Sequence, residues 1–386
     1  MITNAPSRHY LDWAATAMPD KASCQFDETA IFGNPSSPHT EGRLAKEALE
    51  NARTRCARVL GVEGEKLFFT SGGTESNALV LHSRLLWKGK GRLLYSDIEH
   101  PSVSENCLVL KKFALSVGSI GVDNDGRVTT DTLSTALEKY PDTRFAAIMG
   151  VNNETGALMD TKALLALLRS HEAKTRLPIH FHCDMVQALG KVSIDIAGLD
   201  SASFSAHKLG GQRGIGLLYL KKKPESLYAG GGQEGGIRPG TENTAGAVAL
   251  ADLLERRARP ETVVEENEKA AKRFKYLIGE LKKFKRCSII PEDRTEEDSR
   301  FSPWIIQVRF SGVPGPVMVR ALDKEGVAVS TGSACSSNSA ERPVLAAMGV
   351  DEQARLEGLR VSQGWATEIA DLDALLSGIE KALSFL

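Results

Sequence analysis

Along the first two thirds of the chain a short apolar run is followed by a break of glycine and small polar residues. A longer stretch then carries apolar side chains at every third or fourth position. The short runs predict strands over 66–70, 92–96, 144–151, 179–183, 201–205 and 214–220. The longer stretches predict helices over 40–60, 75–87, 101–114 and 161–170. In the first helix Leu44, Ala48, Ala52 and Val59 form a partial apolar stripe, and Gly61 supplies a stop. Strands alternating with helices in this way build an α/β fold around a doubly wound, mostly parallel sheet with helices on both faces.

Helices over 244–257 and 261–284 follow, and then the rhythm changes. A half-buried strand over 304–310, a helix over 315–324, strands over 327–330 and 359–362 and a terminal amphipathic helix over 367–383 mark a smaller α/β domain. A chain of 386 residues exceeds what one hydrophobic core usually serves. The expected division is an N-terminal segment, 1–15, packed with the small domain, a large domain over 16–258 and a small domain over 259–386.

Charge narrows the partners. With 48 Lys plus Arg against 49 Asp plus Glu, the net charge of -1 gives no electrostatic case for nucleic acid or an anionic membrane. The six cysteines form no Cys-x-x-Cys pair and no zinc-like cluster with the eight histidines. The start has no apolar signal region and no later run approaches a membrane span, so a soluble, cytoplasmic protein with reduced thiols is expected.

The chemistry gathers at the breaks. Residues 71–77 read Ser-Gly-Gly-Thr-Glu-Ser-Asn between a strand and a helix, which is where unpaired backbone N–H groups and the positive end of a helix receive a phosphate. His100 precedes Pro101 after the next strand, Asn153 follows the third, and Asp184 and Gln187 follow the fourth. Lys208 sits in Ser-Ala-His-Lys-Leu-Gly-Gly, with Ser205 and His207 just before it. In open α/β sheets ligands bind beyond the strand carboxyl ends, so these side chains are expected to converge there.

A primary amine, an acidic partner and a phosphate-binding turn together make a pyridoxal 5'-phosphate site: an amine for the aldehyde, a carboxylate for the pyridine nitrogen, anchors for the phosphate. The glycine-dense stretch 230–243 reads as an ordered loop whose backbone approaches something closely. In the loop over 331–339, Cys335 stands among small polar residues as an accessible thiol.

The sequence resembles the cysteine desulfurase family, class V aminotransferase-like enzymes of the fold-type I pyridoxal phosphate group. The motifs that carry the resemblance are Phe-Thr-Ser-Gly-Gly-Thr-Glu-Ser-Asn at 69–77, Glu-His-Pro at 99–101, Asn-Asn-Glu-Thr-Gly at 152–156, Ser-Ala-His-Lys at 205–208 and Ser-Ala-Cys at 333–335. The resemblance implies that Lys208 is the Schiff-base lysine and Asp184 the partner of the pyridine nitrogen. It implies that His100 stacks on the ring, that Gln187 and Asn153 bond its phenolic oxygen, and that Gly73, Thr74, Ser205 and His207 hold the phosphate. Thr241 resembles the residue that completes the phosphate site from a partner subunit, which implies a homodimer.

Arg360, with Asn34 and Asn153 nearby, is expected to take the substrate carboxylate as a bidentate pair. The implied reaction converts L-cysteine to L-alanine: Lys208 moves the Cα proton and the Cys335 thiolate takes the sulfur as a persulfide. An acceptor such as an iron–sulfur scaffold or a tRNA-thiolation relay then receives it. The 331–339 loop must reach both cofactor and acceptor, so it is expected to be mobile. Trp13, Met185 and Gln363-Gly364-Trp365 depart from the usual pattern, and Trp13 is expected to narrow the substrate mouth. The alternatives are a selenocysteine lyase or a small-amino-acid transaminase of the same fold, or an inactive pyridoxal-phosphate-binding interaction protein.

Overall fold

The computed structural model describes residues 8–21, 28–87, 89, 91–332 and 342–386. Cys335 and the expectation of a mobile loop around it lie outside the described residues. The strands are β1 (His9–Tyr10), β2 (Leu67–Thr70), β3 (Arg92–Ser96), β4 (Val117–Ile120), β5 (Thr143–Ala147) and β6 (His180–Asp184). They continue with β7 (Ser201–Ser205), β8 (Gly216–Leu220), β9 (Cys287–Ile290), β10 (Ile305–Phe310), β11 (Val327–Ala328) and β12 (Gly358–Ser362).

A seven-stranded sheet runs in the order β2-β8-β7-β6-β5-β3-β4. Only β8 runs against its neighbours, pairing antiparallel with β2 and β7, while the other pairs are parallel. Six strands therefore end on one edge, and the loops after β2, β3, β5, β6 and β7 emerge together there. Strand alternation divides the sheet's two cores. Phe181, Cys183, Ala146, Leu217 and Tyr219 face one cluster, and Phe145, Ala147, Leu218 and Leu220 face the other. In β6 the same alternation puts His180, His182 and Asp184 on the face opposite Phe181 and Cys183.

β9, β10 and β12 form an antiparallel three-stranded sheet, and β1 pairs parallel with β11. Ile306, Val308, Phe310, Leu322 and Leu375 build a separate core on this sheet, and Leu11 packs into it. Ala14 meets Trp304 and Ile305 in a further small cluster. The N-terminal segment thus runs from the smaller sheet toward the edge of the larger one.

Three elements depart from the apolar pattern. The helix Thr40–Leu60 buries Ala45, Leu49, Ala52 and Cys56, whereas Leu44 is 52% exposed. Its partner helix, Thr244–Arg257, presents Gly246, Ala247 and Ala251, and small side chains on both sides set the buried face. The strand expected over 144–151 ends at Ala147, beyond which Ile148 and Gly150 still bond His182 O and Asp184 O as the chain turns into the site. β4 is an edge strand of Val-Gly-Ser-Ile and mostly half-buried, so it carries no apolar run to announce it.

Candidate active site

A cavity of about 200 Å³ opens at the shared edge, lined by residues from five of the emerging loops and from the N-terminal segment. Gly73 and Thr74 enter it from the first turn of the helix Gly73–His82. Gly72, the residue before that helix, has φ of 148° and makes no side-chain cap, so the first backbone N–H groups are left for a ligand. A Cβ on Gly73 would stand 2.6 Å from Val186 Cγ2, so the turn has room only for glycine.

His100 caps the helix Pro101–Lys112, its Nδ1 taking the Ser102 amide at 3.1 Å and meeting Ser102 Oγ at 2.9 Å. That leaves the imidazole along the cavity wall, where burial first and the Lys208 charge next hold it below the usual histidine range, against the opposing pull of Asp184. Asn153 follows β5, and Asp184 ends β6. One Asp184 oxygen accepts the Val186 amide at 2.9 Å and the other accepts Asn77 Nδ2 at 2.8 Å.

Ser205 ends β7, and His207 and Lys208 occupy the 3-10 turn Ala206–Lys208 that follows. Lys208 Nζ donates to the carbonyls of Ala14 at 2.6 Å and Ala15 at 2.8 Å. His207 Nδ1 meets Thr16 Oγ1 at 3.1 Å, and burial, with Lys208 and Arg213 nearby, lowers it to about 4. It is therefore neutral at physiological pH.

Nine of the expected residues thus meet in one cavity: Gly73, Thr74, His100, Asn153, Asp184, Gln187, Ser205, His207 and Lys208. Arg360 lies beside them, 2% exposed. Its Nη1 donates to the carbonyls of Asn153 at 2.8 Å and Gly332 at 3.2 Å, its Nη2 pairs with Asp12 at 2.7 Å, and its Nε has no partner among the described residues. A substrate carboxylate must therefore displace Asp12 to gain a bidentate pair.

Asn34 and Thr241 are exposed and do not line this cavity. Trp13 does not either, which corrects the expectation that it narrows the mouth. It is 1% exposed, and a Cβ on Gly364 would stand 2.0 Å from its ring atoms. Its ring meets Trp365 edge-on at 6.2 Å, so the two departures from the usual pattern are one packing arrangement.

Several residues that position the site escaped the sequence. Asn77 turns its amide to donate to Asp184 and to Ser102 Oγ, because its Oδ1 faces His182 Nε2 at 2.9 Å. His182 Nδ1 meets Ser201 Oγ at 2.8 Å, and the same hydroxyl meets His180 Nε2 at 2.7 Å. Burial lowers His182 to about 3 and His180 to about 4, so both stay neutral and the chain of bonds keeps its polarity. Behind Asp184, burial and the Asp184 charge raise Glu99 to about 8, which keeps a second carboxylate from ionising there at neutral pH. The one signal for Asn77 was its place one turn into the helix that begins at the phosphate turn.

The residues present fit pyridoxal 5'-phosphate: an uncapped helix start, a carboxylate held by two donors across the cavity, and a lysine beside them. Among the described residues no group of His, Cys, Asp and Glu is arranged to hold a metal ion, and no helix is long and apolar enough to cross a membrane.

Residues 9–375 match the family Aminotransferase class-V. A relative named cysteine desulfurase IscS from Dictyoglomus turgidum is 36% identical over 389 aligned positions, covering 97% of this chain and 94% of its own. The solved structure of a NifS-like protein from Rickettsia africae superposes with a TM-score of 0.84 at 27% identity, over 98% of this chain and 99% of that one. A structure of SspA in complex with cysteine matches at 28% identity with a TM-score of 0.76, over 92% of this chain and 98% of that one.

Proposed function

The chain belongs to the aminotransferase class-V family, and from that premise we propose that it is a pyridoxal 5'-phosphate-dependent cysteine desulfurase, an enzyme that converts L-cysteine to L-alanine and carries off the sulfur. The observation that supports this most is the convergence of Lys208, Asp184 and the uncapped helix start on one cavity. When bound, the cofactor supplies an aldehyde for amines and an electron-withdrawing ring that makes a neighbouring Cα–H acidic.

Asp184 would hold the ring nitrogen, and Asn77 and the Val186 amide fix both of its carboxylate oxygens. The amides of Gly73 and Thr74, with Ser205 Oγ and His207, would hold the phosphate. His100 would pack on the ring, and Gln187 and Asn153 would bond the phenolic oxygen. Lys208 Nζ, placed by the carbonyls of Ala14 and Ala15, moves the proton at the substrate Cα. Arg360 orients the substrate carboxylate by exchanging Asp12 for it, with Asn153, whose carbonyl it also holds, beside the same group. The Cys335 thiolate would attack the substrate sulfur, the carbon–sulfur bond breaking with its electron pair left on the substrate carbon, which takes up a proton to become alanine, while the sulfur stays on Cys335 as a persulfide.

We further propose a homodimer in which Thr241 serves the partner's phosphate site; its exposure, and its absence from its own chain's cavity lining, support this reading. The sulfur passes to an acceptor protein, in iron–sulfur cluster assembly or tRNA thiolation, in a reducing, cytoplasmic setting. Incubation of the holoenzyme with L-cysteine and a reductant tests the reading. Equimolar alanine and sulfide are expected, and Cys335→Ala should abolish sulfide release while leaving cofactor absorbance intact. Cofactor binding without alanine would leave a binding protein instead of an enzyme.

A further inference from the structure

Lys191 is 1% exposed, yet it carries an amine that the reaction above does not use. Its Nζ donates to Gln187 Oε1 at 3.0 Å. Gln187 Nε2 in turn donates to Ala14 O at 2.8 Å, the same carbonyl that takes Lys208 Nζ at 2.6 Å. An amide can be turned over with little change in shape, so its orientation is set by what each end meets. Here one end meets the Lys191 amine, which in its protonated form only donates, and the other a carbonyl that only accepts. The Gln187 oxygen is thereby committed to Lys191, and its NH2 is the end left to face the cavity that Gln187 lines.

We propose that Lys191 is a positioning residue of this site: it orients the Gln187 amide so that an N–H, and not the carbonyl, is presented to the cofactor's phenolic oxygen. This rests on the reading of the cavity as a pyridoxal phosphate site. The charges that act on Lys191 are cationic, Lys208 and Arg360, and burial with these two lowers it to about 7. It acts in turn on His207. Packed against its backbone, Trp304 Nε1 donates to Lys191 O at 2.8 Å and to Asn267 Oδ1 at 3.1 Å, both neutral. Among the described residues no carboxylate bridges to Lys191, and the amide of Gln187 is the side-chain partner of this buried amine.

The test is the visible absorbance of the bound cofactor, titrated with pH in holoprotein of the wild type, Lys191→Met, Gln187→Met and the double variant. An N–H aimed at the phenolic oxygen stabilises its anionic form, and loss of one such bond raises the titration midpoint by about 0.5 to 1 pH unit. Lys191→Met and Gln187→Met should each show that rise, and the double variant no more than Gln187→Met alone, because one acts through the other. Lys191→Arg, which keeps a donor, should recover part of it.

An unchanged midpoint in Lys191→Met, or shifts that add in the double variant, overturns the inference. A wild-type protein with no titrating chromophore overturns the cofactor reading itself, and the inference with it. Should the variants fail to fold, a holoenzyme crystal structure decides: Gln187 Oε1 against Lys191 Nζ supports the assignment, and Lys191 bonded elsewhere refutes it.

Discussion

Asn77→Asp changes one NH2 to an oxygen with no change in shape, and the structure makes that a severe exchange. Asn77 Nδ2 donates to an Asp184 oxygen at 2.8 Å, in a place closed to solvent. Losing a hydrogen bond to a charged group costs about 1.5–3 kcal/mol. The new oxygen then stands against a carboxylate at that distance, where the two cannot both ionise, and one must take a proton at neutral pH. Together these come to ~3–5 kcal/mol at pH 7.5.

The sign with pH follows. The added carboxyl has a folded-state pKa above its unfolded one, so its destabilisation is largest at high pH and relaxes as pH falls. Urea unfolding of the apo chain at pH 7.5 and pH 5.5, wild type against variant, reads both quantities. Cofactor affinity, followed by fluorescence, should fall by roughly ten- to a hundredfold, the equivalent of that one charge-assisted bond. A variant within ~0.5 kcal/mol of wild type at pH 7.5, or a deficit that grows toward pH 5.5, would refute the claim that Asn77 holds Asp184.

Gly364→Ala should cost about 3 kcal/mol or more, since its Cβ would stand 2.0 Å from the buried Trp13 ring. Trp13→Ala in the same chain should restore part of that in a thermal melt, and simple additivity of the two would count against direct packing. Gly73→Ala should weaken cofactor binding about tenfold or more (~1.4 kcal/mol) with the apo fold retained, checked by equilibrium dialysis. His180 and His182 are held neutral at about 4 and about 3, against about 6.5 when unfolded. Their contribution is complete above pH 6.5 and is lost as pH falls toward the folded values, at ~1.4 kcal/mol per pH unit for each. Unfolding midpoints flat between pH 7 and 5 would contradict this.

The strands and helices that the chain announces are those whose ends carry a turn. The helices Thr244–Arg257 and Gly315–Lys324 and the strand Ser201–Ser205 fall where the pattern put them, because glycine, proline or a polar cluster closes each. The strands β4 and β9 and the helix Thr130–Lys139 were not legible, since Val-Gly-Ser-Ile and Cys-Ser-Ile-Ile are too short to show a period. The cavity side chains could be read because parallel strands deliver their following loops to one edge.

The residues behind them could not be read in the same way. Asn77 matters through His182, 105 positions away, and Arg360 through Asp12, 348 positions away, and such partnerships exist only in the folded chain. Trp13 misled because a large side chain in a motif reads as facing the ligand, whereas this one fills the space that Gly364 leaves open.

The central claim is that this cavity takes L-cysteine and that its sulfur moves to Cys335. The most direct test is a single turnover of the holoenzyme with L-cysteine in the absence of reductant, followed by mass spectrometry of its cysteine peptides and assay of free alanine. The account predicts one added sulfur on the Cys335 peptide for each alanine formed, and neither product with Lys208→Ala. Alanine formed with no sulfur on Cys335, or sulfur on that peptide without alanine, would contradict it.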